Sequence, residues 1–144
     1  VKLMEITYQA STDLNRSASI TFNNMKRYYD HFSVDWDVDN IASQILSLEN
    51  LDILLDGNIV GAIRLAFEDK DCWIRDLQVD QKAQNRGIGS KALVKCEAIA
   101  IEKKSTCLKL RVFQMSPAVS LYLRAGFIID EEDDRFFYMS RQIN

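Results

Sequence analysis

Apolar positions along the chain follow two periods, and the changes of period mark the elements. Leu3–Gln9 alternates well enough for an opening strand. Ser11-Thr12-Asp13 then offers helix caps, and Leu14 to Tyr29 reads as a helix with Leu14, Ala18, Phe22, Met25 and Tyr29 on its apolar side. Asp39-Asn40 is suited to cap a second helix from Ile41 to about Leu48. Leu51–Leu55 is a compact apolar run, Asp56-Gly57-Asn58 a hairpin turn, and Ile59–Phe67 the returning strand. After the polar turn Glu68–Asp71, Trp73–Val79 adds a third strand to this meander.

The pattern then breaks, because Asp80 to Arg86 is polar except for Ala83. Gly87-Ile88-Gly89-Ser90 opens a helix that reaches about Lys103, with Ile88, Ala92, Leu93, Cys96, Ile99 and Ala100 as its apolar face and Lys91, Lys95 and Glu102 opposite. Leu108–Phe113 alternates cleanly as a strand. Ser116 and Pro117 suit the start of a helix that stops at Gly126, and Phe127–Asp130 with Phe136–Ser140 closes a hairpin around Glu131-Glu132-Asp133-Asp134. The order β-α-α-β-β-β-α-β-α-β-β predicts an α+β fold, with its parallel crossover running from Val79 to Val112.

Composition narrows this picture. A chain of 144 residues, 47% apolar and 27% charged, fits one domain over residues 1–144 with a core large enough to need no metal or disulfide staple. Three cysteines (Cys72, Cys96, Cys107) and a single histidine, His31, cannot supply a four-ligand structural zinc site, so no metal is expected and the thiols read as buried and reduced. No apolar run approaches a membrane span, and the first residues lack a basic-then-apolar leader, which points to a soluble cytoplasmic protein. Charge is uneven: residues 1–72 carry 6 basic and 12 acidic side chains, residues 73–144 carry 12 and 9. That asymmetry suggests an anionic ligand for the second half and a cationic one for the first. The basic residues form no stripe, which disfavours nucleic acid.

Gln84-Asn85-Arg86-Gly87-Ile88-Gly89-Ser90 carries the strongest chemical signal. Two glycines let a backbone approach a bulky anion, and the following helix start presents unpaired N–H groups at the positive end of its dipole. Lys82, Arg86 and Lys91 add cations, with no acid between Gln81 and Glu97. A phosphate or pyrophosphate cradle is therefore expected. Gly87-x-Gly89-x-x-Ala92 also matches the dinucleotide fingerprint, but seven residues separate Val79 from Gly87, and Lys109 and Arg111 stand where a ribose-binding acid would be needed. A Walker loop fails on its upstream glycine.

Downstream, Pro117-Ala118-Val119-Ser120-Leu121-Tyr122-Leu123-Arg124-Ala125-Gly126-Phe127 follows a strand and resembles the second signature of the GNAT N-acetyltransferase superfamily, Pro-Ala-x-x-Leu-Tyr-x-x-x-Gly-Phe. Gln84-x-x-Gly87-x-Gly89 is similar to the same family's acetyl-CoA signature, Gln/Arg-x-x-Gly-x-Gly/Ala. The resemblance implies the GNAT fold, a mixed, mostly antiparallel sheet of six to seven strands flanked by about four helices. It implies that amides from Arg86 to Ser90 grip the pyrophosphate of acetyl-CoA, with Gln84 and Asn85 in the same loop. Leu77, Gln78 and Val79 would pair with the pantetheine arm like an added strand, and an N–H near Gln78 would polarise the thioester carbonyl. Tyr122 would face the sulfur. Many members carry an asparagine before the Pro-Ala step; here Met115 and Ser116 stand there, and Ser116 is the available hydrogen-bonding group.

The implied activity is acetyl transfer from acetyl-CoA to a primary amine by direct attack in a ternary complex. The acidic first half favours a small cationic acceptor; a peptide or protein amine, or a CoA-binding module without catalysis, are the alternatives. A primary amine of pKa near 10.4 is neutral at pH 7 in only about one part in a few thousand, so a base must assist. Asp76, beside the expected thioester, is the first choice and Glu68 the second. A departing thiolate near pKa 8.5 takes a proton from a phenol near 10 only uphill, so Tyr122 is expected to stabilise the sulfur anion. His31, Asp35 and Trp36 fall where the family lines its acceptor cleft, and the resemblance makes a homodimer reasonable.

Overall fold

The computed structural model describes residues 4–143, so Leu3 of the expected first strand lies outside it. Its elements are β1 (Ile6–Ala10), α1 (Leu14–His31), α2 (Val38–Ile45), β2 (Glu49–Leu55), β3 (Asn58–Glu68), β4 (Asp71–Val79), α3 (Ile88–Glu102), β5 (Cys107–Phe113), α4 (Ala118–Arg124), β6 (Ile128–Glu132) and β7 (Phe136–Gln142). A short 3-10 turn, Gln81–Ala83, lies between β4 and α3. The element order is the expected one. One seven-stranded sheet runs β1-β2-β3-β4-β5-β7-β6, with β4 and β5 parallel and the pairs β1/β2, β5/β7 and β6/β7 antiparallel. The mixed seven-stranded sheet and four helices expected from the motifs are the architecture found.

Local chemistry explains the boundaries. Asp13 accepts from the Arg16 N–H at 3.0 Å and starts α1. The second helix begins a turn earlier than the Asp39-Asn40 reading allowed, because Asp37 takes the cap and accepts from the Asn40 N–H at 2.8 Å. Asp56 and Gly57 both have positive φ, 50° and 85°, as a two-residue hairpin turn requires. The acidic run is not simply a solvated turn. Glu131 and Glu132 belong to β6, and Asp133 accepts from the Arg135 and Phe136 amides at 2.8 and 2.7 Å and from the Tyr138 hydroxyl at 2.8 Å. Those three donors hold its carboxyl below the usual carboxylate range.

The chain divides into two compact units, one built from residues up to Arg64 with Asp76–Ile88, the other from Leu65–Arg75 with the residues from Gly89 onward. In the first, α1 and α2 pack around buried Ala18, Ile41 and Ile45, with Leu14, Phe22, Tyr29, Trp36, Val38, Ala42 and Leu48 against them. In the second, the expected apolar face of α3 is buried at Ala92, Leu93, Cys96, Ile99 and Ala100, and Leu108, Leu110 and Val112 of β5 are buried as their alternation predicts.

Candidate active site

Within the first unit the predicted site residues gather at the end of β4 and the loop that follows it. Gly61 of β3 meets β4 here: a Cβ on Gly61 would collide with the Gln78 carbonyl oxygen, so only glycine allows this approach. The Asp80 N–H donates to the Val60 carbonyl at 2.7 Å. Gln78 and Asp80 thus turn their backbone groups toward β3, and strand alternation turns those of Leu77 and Val79 the other way. The ladder between β4 and β5 runs from Asp71↔Cys107 to Ile74↔Leu110, and β4 continues beyond it to Val79.

The Val79 carbonyl is already engaged. It accepts from Asn24 Nδ2 at 2.9 Å and from Gln84 Nε2 at 2.9 Å, which uses both lone pairs of a carbonyl oxygen. Gln84, the first residue of the acetyl-CoA signature, therefore bends back onto the strand and braces the loop. After it, Asn85 (φ 64°) and Gly87 (φ 78°) both adopt the left-handed region. Arg86 is exposed between them, and Ile88 is buried at 2% as the first residue of α3. Gly87 has no side chain with which to cap the helix, and a helix start of this kind can offer its first-turn N–H groups to an anion.

Asp76 has a different setting from the one its position in the sequence suggested. Its carboxylate lies 3.1 Å from Nη1 of Arg64, whose side chain is 0% exposed. Arg64 also donates to Thr21 Oγ1 at 2.6 Å and Ser17 Oγ at 2.7 Å, both on α1. Its Nε is buried without a hydrogen-bond partner. Asp76 is thus the counter-charge of a buried guanidinium, while 24% of its side chain reaches solvent. Burial and the Asp76 charge push the neighbouring Tyr29 phenol up to about 12. Sequence reading missed this cluster. The available signal was an arginine inside the apolar run Gly61–Ala66, facing a helix whose Ser17, Thr21 and Asn24 recur at helical spacing.

The remaining first-unit feature is an open cavity of about 410 Å³ lined by Val34, Asp35, Trp36, Asn40, Ser43 and Gln44. Asp35 and Trp36 were expected near an acceptor; His31 is absent from this lining, being exposed with its ring edge-on to Phe32 at 4.7 Å. In the second unit, Gly89 faces Leu121, whose Cδ2 lies 3.0 Å from where a Cβ would be. Ser90 is exposed on the first turn of α3. Tyr122 is 6% exposed and its ring meets Phe127 edge-on at 5.7 Å. The Ser116 hydroxyl accepts from the Ala118 N–H at 3.1 Å, one residue ahead of the Pro117 that caps α4. Glu68 is exposed at the end of β3 and lies 3.6 Å from Arg75, an exposed pair of little energetic weight.

Among the described residues no cluster of three or more His, Cys, Asp or Glu could hold a metal. No described helix is long and apolar enough to cross a membrane. No curated protein matches the chain in sequence. Solved structures share its fold. The PaiA N-acetyltransferase of Thermoplasma acidophilum, in complex with coenzyme A, superimposes with a TM-score of 0.76 at 18% identity, covering 98% of this chain and 99% of that one. The ribosomal-protein-S18-alanine N-acetyltransferase of Escherichia coli gives 0.75 at 18% identity, covering 99% and 95%. The model of the acetyltransferase (GNAT) family matches residues 14–127. Sequence signature, sheet order and loop geometry converge, and the chain belongs to the GNAT acetyltransferase family.

Proposed function

We propose that the protein is a single-domain N-acetyltransferase that moves the acetyl group of acetyl-CoA to the primary amine of a small cationic molecule, by direct attack in a ternary complex. The observation that carries this reading is the loop from Gln84 to Ile88. It is exposed from Gln84 to Gly87, twice left-handed, leads straight into the first turn of α3, and adjoins a strand edge where Leu77 and Val79 present their amides. That geometry suits a pyrophosphate followed by an amide-bearing arm. Amides from Arg86 to Ser90 take the pyrophosphate, with Arg86 and Lys91 as exposed cations beside them. Because the Val79 carbonyl is saturated, Val79 offers the ligand a donor only, its N–H, which fits an amide or thioester carbonyl.

Acetyl-CoA supplies the activated acyl group and a thiol leaving group. Tyr122 stabilises the sulfur anion, and Asp76 receives the ammonium proton, directly or through one water, at the solvent-facing part of its carboxylate. Glu68, exposed and beside Arg75, has no role in this scheme. Asp35 and Trp36 in the first-unit cavity favour a cationic acceptor, as a carboxylate with an aromatic ring does.

The test is release of thiol from acetyl-CoA across a panel of amines and peptides, with CoA binding followed by titration calorimetry. Turnover with small cationic amines supports the reading, turnover confined to peptides replaces the acceptor class, and CoA binding without any turnover leaves a binding module. Failure to bind CoA overturns the proposal. Tyr122→Phe is expected to lower kcat roughly ten- to a hundredfold with CoA affinity intact; unchanged kcat removes Tyr122 from the mechanism.

A further inference from the structure

The Asn24 carboxamide of α1 reaches the end of β4. Its Nδ2 donates to Gln78 Oε1 at 3.1 Å and to the Val79 carbonyl at 2.9 Å. The first contact is to the Gln78 side chain and the second to the carbonyl of the Val79–Asp80 peptide, so Asn24 anchors the two residues joined by the Gln78–Val79 peptide, whose N–H is the donor assigned above to the ligand. Anchoring the residues at both ends of that peptide restrains it from rocking about its Cα atoms and so narrows the directions its N–H can take. Gln84 fixes the same carbonyl from the loop at 2.9 Å, so a continuous hydrogen-bonded path runs from α1 through the strand edge to the signature loop. Gln78 extends it weakly toward Asp76, at 3.5 Å.

We infer that Asn24 is a positioning residue for the acyl-donor arm: it fixes the Val79 N–H in the direction the arm requires, without itself touching the ligand. The inference rests on the coenzyme A reading. It predicts that Asn24 governs the pantetheine part of the ligand and not the adenosine diphosphate part, because the latter is held by the loop, whose own brace, Gln84 on Val79, does not need Asn24.

Two ligands separate these contributions: CoA, and 3′-phospho-ADP, which lacks the arm. By calorimetry, Asn24→Ala removes both hydrogen bonds of the carboxamide and is expected to weaken CoA roughly tenfold, about the worth of one hydrogen bond from a Val79 N–H no longer held in line, while 3′-phospho-ADP binds within about twofold of the parent protein. Asn24→Asp keeps the volume but cannot donate to the Val79 carbonyl, and is expected to lose at least as much CoA affinity. In turnover both variants raise KM for acetyl-CoA and leave KM for the amine unchanged. Equal affinity of the parent protein and the variants for CoA overturns the inference, as does a parallel loss of both ligands, or the failure of both variants to fold. A parent protein that binds neither ligand overturns the coenzyme A reading instead.

Discussion

Arg64 shows how much one residue can organise. A guanidinium at 0% exposure is tolerable only with a counter-charge and hydrogen-bond acceptors around it, and Asp76, Ser17 and Thr21 supply them. Removing the acid alone strands the charge, so Asp76→Ala is expected to destabilise the protein by about 3–5 kcal/mol, measured by urea unfolding. Replacing the pair together, Arg64→Met with Asp76→Asn, should recover most of that loss. If Asp76→Ala unfolds like the parent protein, the pair is not structural. A loss of kcat that persists in the stabilised double variant then belongs to proton transfer by Asp76. At this scale the sequence was legible where chemistry is local: the glycines of the loop, the asparagine and aspartate turns, the capping aspartate of α1. It was illegible at Arg64, because a charge run or a lone charge gives no sign of its depth until its partners, 43 and 47 residues away, are in place.

Among the elements, strands and helices of strong periodicity were readable to within a few residues, since burial of one face enforces the period. Helix α1 shows why that reading was incomplete. Its apolar stripe, Leu14, Ala18, Phe22 and Tyr29, packs on α2, but its most buried positions include Ser17 and Thr21, which serve Arg64. A helix with two buried sides, one apolar and one polar, looks amphipathic in sequence, and its polar side is read as solvated. The junction of β3 and β4 gives an element-scale prediction. Gly61→Ala sets a methyl group against the Gln78 carbonyl, so the strands must separate where the proposed ligand edge begins. We expect a loss of about 1–3 kcal/mol in stability together with weaker CoA binding. An alanine variant with parental melting and affinity would show that this approach is not needed.

For the whole molecule, two sheltered weak acids, the buried Cys96 thiol and the half-buried Tyr29 phenol, bear on the alkaline limit. Burial raises the Cys96 thiol from its ordinary value of 9.0 to about 12, and burial with the Asp76 charge raises Tyr29 from 10.0 to about 12. The native state therefore holds these protons more tightly than the unfolded chain. The stability they contribute is fully present below about pH 9 and is lost as pH rises toward 12, where the native groups ionise too. Melting temperatures followed upward from about pH 8 should fall along this window. Cys96→Ala is expected to flatten the onset and Tyr29→Phe the upper part; a parent protein whose melting temperature holds steady would refute both assignments. The uneven charge of the two halves of the sequence could be read in advance, but which acids line a cavity and which cap a helix depended on the folded chain: Asp35 does the first and Asp37 the second. The sheltered sulfurs have a practical outcome. Cys72, Cys96 and Cys107 are unbridged and all lie in the interior, so a colorimetric sulfhydryl reagent mixed into a working reaction registers liberated coenzyme against almost no background from the catalyst. The same dye becomes a denaturation gauge once heat or urea lays those side chains open.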